Sequence, residues 1–425
     1  MAFSKPRTKF YSCRTVYKQA AMDLLRFRVH RGNEVAEFEA HAAKHFGSRY
    51  AVATPMARVG IYLCLRYFIG KGQHVLQSPY TLAEVINMAM CAGGKPLFSD
   101  VDPNNGHLDP QKLSYTPNTG AMIVTHLHGI PAEMDELLSF AREHEVPVIE
   151  DAAQSAGTKY KGRFVGTLGD AGILSFGILK QLNAVYGGLV LTDNGDLAKF
   201  IQEELEAFRD IPISTLLDKL AYLLRLHTLS TNPTFSWLMF PLLRYGLLND
   251  VKWINNIVAV QSDTQLKHRI DDWYKHRFSP CQARMLPAQL HRLASDDEQR
   301  IQNARRYFAG LNQLDGLTLP KISEDAQPTF AYFPIQVREP QQLLRWFNFY
   351  GQDVVAQHFS NCADLSCFAP FRSDCPVASK VANSLMLLPT YPGYSSQQIE
   401  RNIRIVRAYF EASQPAFDAN AGLNI

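Results

Sequence analysis

The sequence lacks a long hydrophobic run, and this absence excludes a membrane-spanning helix. The closest stretch, "FSWLMFPLL" (235–243), contains a proline and is well short of the roughly 20 residues that a span needs. The positive charges near the N-terminus are not followed by an apolar segment, so we expect no secretion signal. These two absences together predict a cytoplasmic protein.

The sequence also lacks an excess of charge of either sign. Lysine and arginine number 43 against 40 acidic residues, which gives a net charge of +3. This balance, with no zinc-finger or basic-run signature, argues against a nucleic-acid partner. The 46% apolar and 20% charged fractions are typical of a folded protein, and 425 residues are more than one core usually organises. We therefore expect two domains.

Cysteine is sparse and lacks the CxxC spacing of common metal or redox sites. The seven cysteines are odd in number and scattered, which excludes a disulfide framework and favours a reducing compartment. Three of them, Cys362, Cys367 and Cys375, lie close together in sequence with His358 nearby. A zinc site and ordinary core thiols are both open interpretations here, and we expect no metal.

What the sequence does contain is a regular alternation of strands and helices from about residue 49 to residue 193. The strands are continuous apolar runs such as "GAMIVT" and "VPVIE", which is typical of a mostly parallel sheet covered by helices on both faces. Ligands of such sheets bind beyond the carboxyl ends of the strands. Residues that directly follow strands are therefore the first candidates for a functional site.

The C-terminal half has a different pattern of apolar and polar residues. Residues 196–275 lose strand character and include leucine- and aromatic-rich helical segments, with a helical insertion at about 210–270. A long amphipathic helix from residue 286 and short strands follow. We predict a large N-terminal domain over 1–275 and a smaller C-terminal α+β domain over 276–425.

Two candidate chemical groups follow strands of the predicted sheet. Asp151 ends "VIED", and Lys180 follows the strand in "LSFGILK". A carboxylate and an amine that converge at one sheet edge suit pyridoxal 5'-phosphate (PLP): the lysine binds the cofactor and the carboxylate pairs with its ring nitrogen. A structural ion pair between the two residues is the alternative that spacing alone leaves open.

The segment "VIEDAAQSAGTKYKGRFVGTLGDAGILSFGILKQLNAVYGGLVLTDN" resembles the core of the DegT/StrS-type family of PLP-dependent sugar aminotransferases. The resemblance continues in "NEVAEFEAHAAKHFGSRYAVAT", "DVDPNNGHLDPQKL", "HRFSPCQARMLPAQLHRL" and "LLPTYPGYSSQQIERNIRIV". It covers most of residues 33–410. It implies an α/β PLP-transferase fold of type I, with a mostly parallel sheet between helices.

The resemblance also implies roles for individual residues. Lys180 matches the lysine that binds PLP covalently and then acts as base and acid in the proton shift. Asp151 matches the partner of the pyridinium nitrogen, and Gln154 the residue near the ring oxygen. Tyr80 falls where the family stacks an aromatic ring on the cofactor, and Ser175 matches a phosphate-binding hydroxyl.

Three positions depart from the family pattern. Ala57 and Arg58 stand in "PMAR", where the family has Ser-Gly-Thr at a phosphate-binding helix start; we expect the backbone amides and the guanidinium to bind the phosphate. The alternative is that Arg58 lies on the surface and phosphate binding is weak. Lys275 replaces an asparagine that reaches the neighbouring subunit's phosphate. Tyr186 replaces an acidic residue before two glycines in a loop beside the substrate.

A pair of histidines in "THLHG" permits two interpretations. His126 and His128 are two residues apart, and on a strand they would share one face and could bind a metal. The resemblance places this segment at the mouth of the site instead, and we assign His128, with Tyr186, to the substrate. We expect no metal there.

The implied reaction is transfer of an amino group from glutamate or glutamine to a keto sugar, expected to be nucleotide-linked, in cell-surface polysaccharide or secondary-metabolite biosynthesis. The implied assembly is a homodimer with sites at the subunit boundary. A PLP enzyme acting on a non-sugar or lipid-linked carbonyl compound, and a non-catalytic PLP-binding protein, are the alternatives. The insertion at 210–270 either covers core or an interface, or makes a peripheral contact with a membrane.

Overall fold

The fold is that of a computed structural model, which describes residues 4–256, 264–356 and 359–412. Its main feature is a seven-stranded sheet in the order β1-β9-β8-β5-β4-β2-β3. The strands are β1 Tyr50–Thr54, β2 His74–Gln77, β3 Lys95–Phe98, β4 Thr119–Thr125, β5 Val148–Asp151, β8 Ala171–Ser175 and β9 Gly188–Thr192. Strand β9 is antiparallel to both of its neighbours, and the other pairings are parallel. The predicted fold class is confirmed.

Two smaller sheets complete the β-structure. A four-stranded antiparallel sheet has the order β10-β12-β14-β13, and a three-stranded sheet has the order β11-β6-β7. Their strands are β6 Lys159–Tyr160, β7 Arg163–Phe164, β10 Leu317–Thr318, β11 Ala326–Gln327, β12 Phe333–Val337, β13 Val355–Ala356 and β14 Leu385–Leu388. The three-stranded sheet joins a hairpin of the N-terminal half to a strand of the C-terminal half.

Helices cover both faces of the large sheet and also pack on both faces of the four-stranded sheet. The α-helices are α1 Cys13–Leu25, α2 Glu34–Phe46, α3 Ala57–Phe68, α4 Ala83–Cys91, α5 Met134–Glu143, α6 Gly195–Glu206, α7 Ile213–Leu229, α8 Phe240–Leu248, α9 Lys252–Asn255, α10 Pro280–Arg284, α11 Pro287–Leu311, α12 Pro340–Phe349, α13 Pro376–Ser384 and α14 Ser396–Glu411. Short 3₁₀ turns cover Pro110–Lys112, Asp272–Tyr274, Cys362–Asp364 and Ser366–Phe371, and a π-turn covers Phe235–Met239. No helix in these described ranges is both long and apolar enough to cross a bilayer.

The large sheet is buried on both faces, which is why its strands read as continuous apolar runs. One core packs the sheet against α1, α2 and α10, and a second packs it against α3, α4 and α6. A third core lies between the four-stranded sheet and helices α11, α12 and α14. Helix α11 contributes its first half to the first core and its second half to the third, so it links the two larger sheets.

The predicted insertion divides into two parts that pack differently. Helix α7 packs its Leu216, Leu220 and Leu223 stripe into the core of the large sheet. The π-turn and α8 instead pack toward α12 of the four-stranded sheet. There the Arg345 guanidinium donates to the Leu248 carbonyl oxygen at 3.2 Å.

Candidate active site

A cavity of about 400 Å³ lies at the carboxyl ends of β5 and β8. Its lining brings together six of the residues that the sequence singled out, namely Asp151, Lys180, Ser175, Ala57, Arg58 and Tyr186. Strands β5 and β8 are hydrogen-bonded neighbours, so Asp151 and Ser175 end at the same sheet edge. The convergence expected from the strand pattern is present.

Lys180 lies in the turn after β8, where its backbone amide donates to the Gly177 carbonyl oxygen at 2.9 Å. Burial lowers the pKa of its amine, and the nearby Arg58 guanidinium lowers this pKa further, while the Asp151 carboxylate opposes both effects. The amine therefore gives up its proton more readily than an ordinary lysine. A neutral amine is the form that attacks a carbonyl carbon.

Asp151 is buried, and burial raises the pKa of its carboxyl group. The Ala153 amide donates to Oδ1 at 3.1 Å and, with the charges of Lys180 and His126, opposes that rise. A buried carboxylate without a full counter-charge suits a cationic partner such as a protonated ring nitrogen.

The first turn of α3 forms one wall of the cavity. Because the helix begins at Ala57, the amides of Ala57 and Arg58 have no carbonyl partner within it and can bind an anion. Gly188, at the start of β9, allows the sheet to approach this turn. A Cβ atom at Gly188 would lie 2.7 Å from Ala57 Cα, so only glycine fits there.

Arg58 is not a free surface residue. Its Nη1 donates to the Tyr274 hydroxyl at 2.9 Å and lies 3.8 Å from a Glu84 carboxylate oxygen. Glu84 also binds Lys267 at 2.8 Å. The guanidinium is therefore held at the cavity wall, with part of its charge balanced by Glu84.

Tyr186 lines the cavity with its hydroxyl buried, and its carbonyl oxygen accepts from Gln282 Nε2 at 2.8 Å. Within the described part of the chain its hydroxyl makes no hydrogen bond. A buried phenol without a partner is costly, and a bound ligand could supply that partner.

Four predicted residues do not line this cavity. Tyr80 is fully buried and meets Phe359 edge-on at 5.6 Å between ring centroids, and its backbone bridges to Asn361 in the C-terminal half of the chain. Gln154 accepts from the His128 amide at 3.1 Å. Lys275 is half exposed and pairs with Asp272 at 2.8 Å. None of the three reaches the cavity of its own subunit.

His128 is the fourth. It is 1% exposed and lies in a left-handed turn (φ 59°) after the end of β4, so it and His126 do not form the strand-face pair that their spacing left open as an alternative. His126 Nε2 lies 3.0 Å from a Glu150 carboxylate oxygen. The described residues contain no cluster of side chains that could hold a metal ion, and His358 lies outside them.

Two buried side chains outside the cavity, Glu150 and His126, form hydrogen bonds that hold the elements around the site in place. Glu150 is fully buried and accepts from the amides of Gly166 and Gly169, both at 2.7 Å. These bonds fix the loop that leads into β8 and thus the start of the segment carrying Ser175 and Lys180. Sequence analysis missed this role because the bonds join residues far apart in the chain.

Other lining residues were also missed. Leu82, rather than Tyr80, lines the cavity wall, and Glu84 follows it. Lys219 and Tyr222 from α7, and Trp273, complete the lining. The one signal in the sequence was that Lys219 is a single lysine in a leucine-rich helix, as Lys180 is a single amine in an apolar run.

Comparison with known proteins agrees with this geometry. The sequence model of the DegT/DnrJ/EryC1/StrS aminotransferase family matches residues 17–227 and 250–407. The chain therefore belongs to this family of PLP-dependent aminotransferases. The unmatched stretch, 228–249, is shorter than the insertion predicted over 210–270 and leaves most of α7 in the matched part.

Individual relatives are distant in sequence but similar in length and fold. The spore coat polysaccharide biosynthesis protein SpsC of Bacillus subtilis is 28% identical over 392 residues, covering 89% of this chain and 90% of SpsC. An aminotransferase from Psychrobacter cryohalolentis superposes with a TM-score of 0.75 at 21% identity, covering 97% and 99% of the two chains. DesI, solved in the presence of its TDP-sugar product, gives a TM-score of 0.71 at 21% identity, covering 97% and 95%.

The cavity fits the family's cofactor on its own chemistry. It offers an amine with a lowered pKa, a buried carboxylate, a hydroxyl, and unpaired amides at a helix start beside a guanidinium. These groups match the aldehyde, the ring nitrogen and the phosphate of PLP.

Proposed function

We propose that this aminotransferase moves an amino group from glutamate or glutamine to a keto sugar, expected to be nucleotide-linked, in cell-surface polysaccharide or secondary-metabolite biosynthesis. The observation that carries the proposal is the joint presence of the Lys180 amine and the Asp151 carboxylate in one cavity. The named role of SpsC in spore coat polysaccharide biosynthesis and the TDP-sugar product named for DesI support a sugar acceptor.

We assign the cofactor contacts as follows. Lys180 Nζ binds PLP, Asp151 holds the proton on the ring nitrogen, and Ser175 with the amides of Ala57 and Arg58 binds the phosphate. When bound, PLP supplies an electron sink. Lys180 Nζ, once released, accepts the proton that leaves the amino-acid α-carbon and returns it in the next step. The lowered pKa of this amine favours its neutral, basic form.

The roles that the family resemblance implies for Gln154, Tyr80 and His128 remain predictions. In the single chain none of them lines the cavity, and Leu82 stands at its wall where an aromatic ring was expected. Tyr186 is the stronger candidate for a substrate contact, because its buried hydroxyl lies in the cavity lining.

We propose a homodimer in which Lys275 binds the phosphate in the partner's site. Lys275 does not reach the cavity of its own chain, and its side chain is exposed apart from the pairing with Asp272. Helix α7, beside the cavity, exposes an apolar stripe of Ile213, Leu217 and Leu224, each about half exposed. A second subunit would cover such a stripe.

We further propose that the chain divides into two domains at residue 275 and that the protein is cytoplasmic.

We also propose that the insertion at 210–270 makes a peripheral contact with a membrane. Trp237, Leu238, Tyr245 and Trp253 are all more than half exposed, as expected of an interfacial surface. Sedimentation with anionic lipid vesicles tests the last point: the double variant Trp237→Ser/Tyr245→Ser should bind less. Equal sedimentation of this variant and the unchanged protein would contradict the contact.

The reaction is tested by its two halves. The purified protein should show the visible absorbance of lysine-bound PLP, and glutamate or glutamine should remove this band. A keto-sugar nucleotide should then restore the band. If PLP is retained but no amino donor removes the band, the non-catalytic alternative is correct; if only non-sugar carbonyl compounds restore it, the sugar acceptor is wrong.

A further inference from the structure

An ion pair on helix α11 is buried outside the cavity. Arg300 is 0% exposed, and its guanidinium donates to the carboxylate of Asp297, which lies one turn earlier on the same helix and is 6% exposed. Neither side chain lines the cavity. Because two buried charges lose most of their hydration, such a pair adds little net stability. Stability alone therefore does not account for the pair, and its neighbours point to a role in the site.

One oxygen of Asp297 binds the turn that carries Lys180. Gln181 directly follows Lys180, and its Nε2 donates to Asp297 Oδ1 at 3.3 Å. The backbone of Asn183 is bonded to a second side chain of α11. Its amide donates to Gln289 Oε1 at 2.8 Å, and its carbonyl oxygen accepts from Gln289 Nε2 at 2.7 Å. Helix α11 thus holds the chain just after Lys180 at two points.

The other oxygen of Asp297 lies against the turn that follows Asp151. A Cβ atom added at Gly157 would lie 1.8 Å from Asp297 Oδ2, so the carboxylate occupies the space that any larger residue would need. The turn is closed by the Ser155 amide, which donates to the Ala152 carbonyl oxygen at 2.9 Å. One carboxylate therefore contacts both of the turns that carry the proposed partners of PLP.

Arg300 and the rest of helix α11 hold this carboxylate in place. Burial raises the pKa of the carboxyl group to about 6, and Arg300 opposes the rise, so the group is ionised at neutral pH. The Arg300 guanidinium also lies over the Tyr11 ring at 5.1 Å, and the Tyr11 carbonyl oxygen accepts from Asn183 Nδ2 at 2.9 Å. Further along the helix, Asn303 Nδ2 donates to the Thr390 carbonyl oxygen at 3.0 Å. The helix that carries the ion pair is thus fixed to both halves of the chain.

We infer that Asp297 is a positioning residue for the reaction: its carboxylate sets the turn of Lys180 relative to the turn after Asp151, so that both groups fit the same PLP molecule. This inference rests on the proposed function. Asp297 itself touches neither cofactor nor substrate and acts through the two turns. Because a misplacement of about 1 Å can slow a reaction by up to about 100-fold, a small shift of the turn should slow the proton transfer by Lys180.

The variant Gln181→Met tests this role, because it removes the bond to the turn and leaves the Asp297–Arg300 pair intact. Visible circular dichroism of the PLP-loaded protein depends on how rigidly the site orients the bound ring, and we expect a weaker signal at equal cofactor occupancy. In rapid mixing with glutamate or glutamine, the limiting rate of band loss should fall about tenfold. The donor concentration that gives half of this rate should stay the same.

Asp297→Asn should slow the same step at least as much, because it also leaves Arg300 without its counter-charge. The double variant Gln181→Met/Asp297→Asn should be no slower than Asp297→Asn alone, since both changes break the same contact. Urea unfolding checks that each variant is folded. If Asp297→Asn does not fold, Gln181→Met alone decides.

Gln302→Met is the matched control. Gln302 is exposed on the same helix, and its Nε2 donates to Glu298 Oε1 at 3.1 Å. The change therefore also removes a bond between a glutamine and a carboxylate, but away from both turns. It should leave the dichroism and the limiting rate unchanged.

Three outcomes would overturn the inference. Gln181→Met could keep the full dichroism or the full limiting rate, its effect could fall on the half-saturating donor concentration instead, or the double variant could be slower by the product of the two single effects. The proposed function fails by a different result, namely that no amino donor removes the PLP band of the unchanged protein.

Discussion

The Lys180 amine is surrounded by groups that shift its pKa in opposite directions. Burial and the Arg58 guanidinium lower the pKa, and the Asp151 carboxylate raises it. The net effect is a lowered pKa, so the neutral amine, which we propose captures the cofactor and later moves the proton, forms more readily than in an ordinary lysine. Arg58 thus has two roles in this account: one on the phosphate and one on the reactivity of the lysine.

The second role can be tested through pH dependence. Removing the positive charge in Arg58→Met should raise the pKa of Lys180, so the rate of PLP incorporation into the apo-protein should reach its midpoint at a higher pH. Absorbance of the bound cofactor follows the rate. Arg66→Met is the control, because Arg66 lies on the same helix but pairs with Glu204 away from the cavity. A midpoint that stays in place or falls in Arg58→Met would contradict the account.

At the scale of single residues, the sequence predicted the polar side chains that lie at the ends of neighbouring strands. Asp151, Ser175 and Lys180 meet because β5 and β8 are adjacent in the sheet and end at one edge. Lys219 and Trp273 were not predicted as site residues, because they reach the cavity through the packing of α7 and the segment after it. Such long-range packing leaves no local pattern in the sequence.

At the scale of elements, the cavity depends on how closely β9 approaches the first turn of α3. Gly188 and Thr54 pair across β9 and β1, and Ala57 begins the helix three residues later. The glycine that the family resemblance implies at this helix start is absent here, where the sequence reads "PMAR". Gly188, on the other side of the contact, provides the space.

Gly188→Ala should therefore disturb both stability and cofactor binding. A methyl group 2.7 Å from Ala57 Cα forces the backbone apart and should lower the free energy of unfolding by about 1–3 kcal/mol. PLP should also dissociate faster, because the helix-start amides move. Gly70→Ala is the matched control: the nearest atom is the flexible Gln73 side chain at 3.5 Å. Denaturant unfolding and cofactor release should leave this control near wild type; equal behaviour of the two variants would refute the close-contact argument.

A second element contact, between α2 and β1, is sensitive to pH. Glu39 on α2 accepts from the Ala53 amide at 2.7 Å, and burial raises the pKa of its carboxyl group to about 7. This pKa is above the unfolded value of 4.5, so the folded protein is less stable when Glu39 is ionised. The loss of stability is absent below pH 4.5 and complete above pH 7.

Glu39→Gln keeps the acceptor for Ala53 and removes the charge. We expect the free energy of unfolding to rise at pH 8 by up to about 3 kcal/mol, and the gain to shrink as the pH falls toward 4.5. Glu37→Gln, an exposed position on the same helix, should give no such trend. A gain for Glu39→Gln that is equal at pH 5 and pH 8 would contradict the assignment.

For the whole molecule, the fold class followed from the alternation of apolar strands and helices, because a sheet buried on both faces leaves that pattern in the sequence. The sequence did not predict that β9 is antiparallel to its neighbours, because "GLVLT" is a continuous apolar run like the parallel strands. The burial of Tyr80 beside Phe359 was missed for a similar reason, because it depends on contact between distant halves of the chain.

The proposed dimer predicts complementation between two defective subunits. In a hybrid of a Lys180→Ala subunit and a Lys275→Ala subunit, one site carries both changes and the other carries neither if Lys275 serves the partner. Differently tagged subunits allow purification of the hybrid, which should bind about one PLP per dimer at wild-type affinity. If its affinity is as weak as that of the Lys275→Ala homodimer, Lys275 acts within its own chain, and full affinity in that homodimer would remove Lys275 from the site.

The central claim is that Lys180 is the residue that binds the cofactor, and reductive trapping tests it most directly. The purified protein is treated with borohydride, digested, and its peptides are mapped by mass spectrometry. We predict one phosphopyridoxyl group on the peptide that contains Lys180, and none in Lys180→Ala. Attachment to Lys219 or another lysine, or no attachment in protein that has been saturated with PLP, would contradict the account.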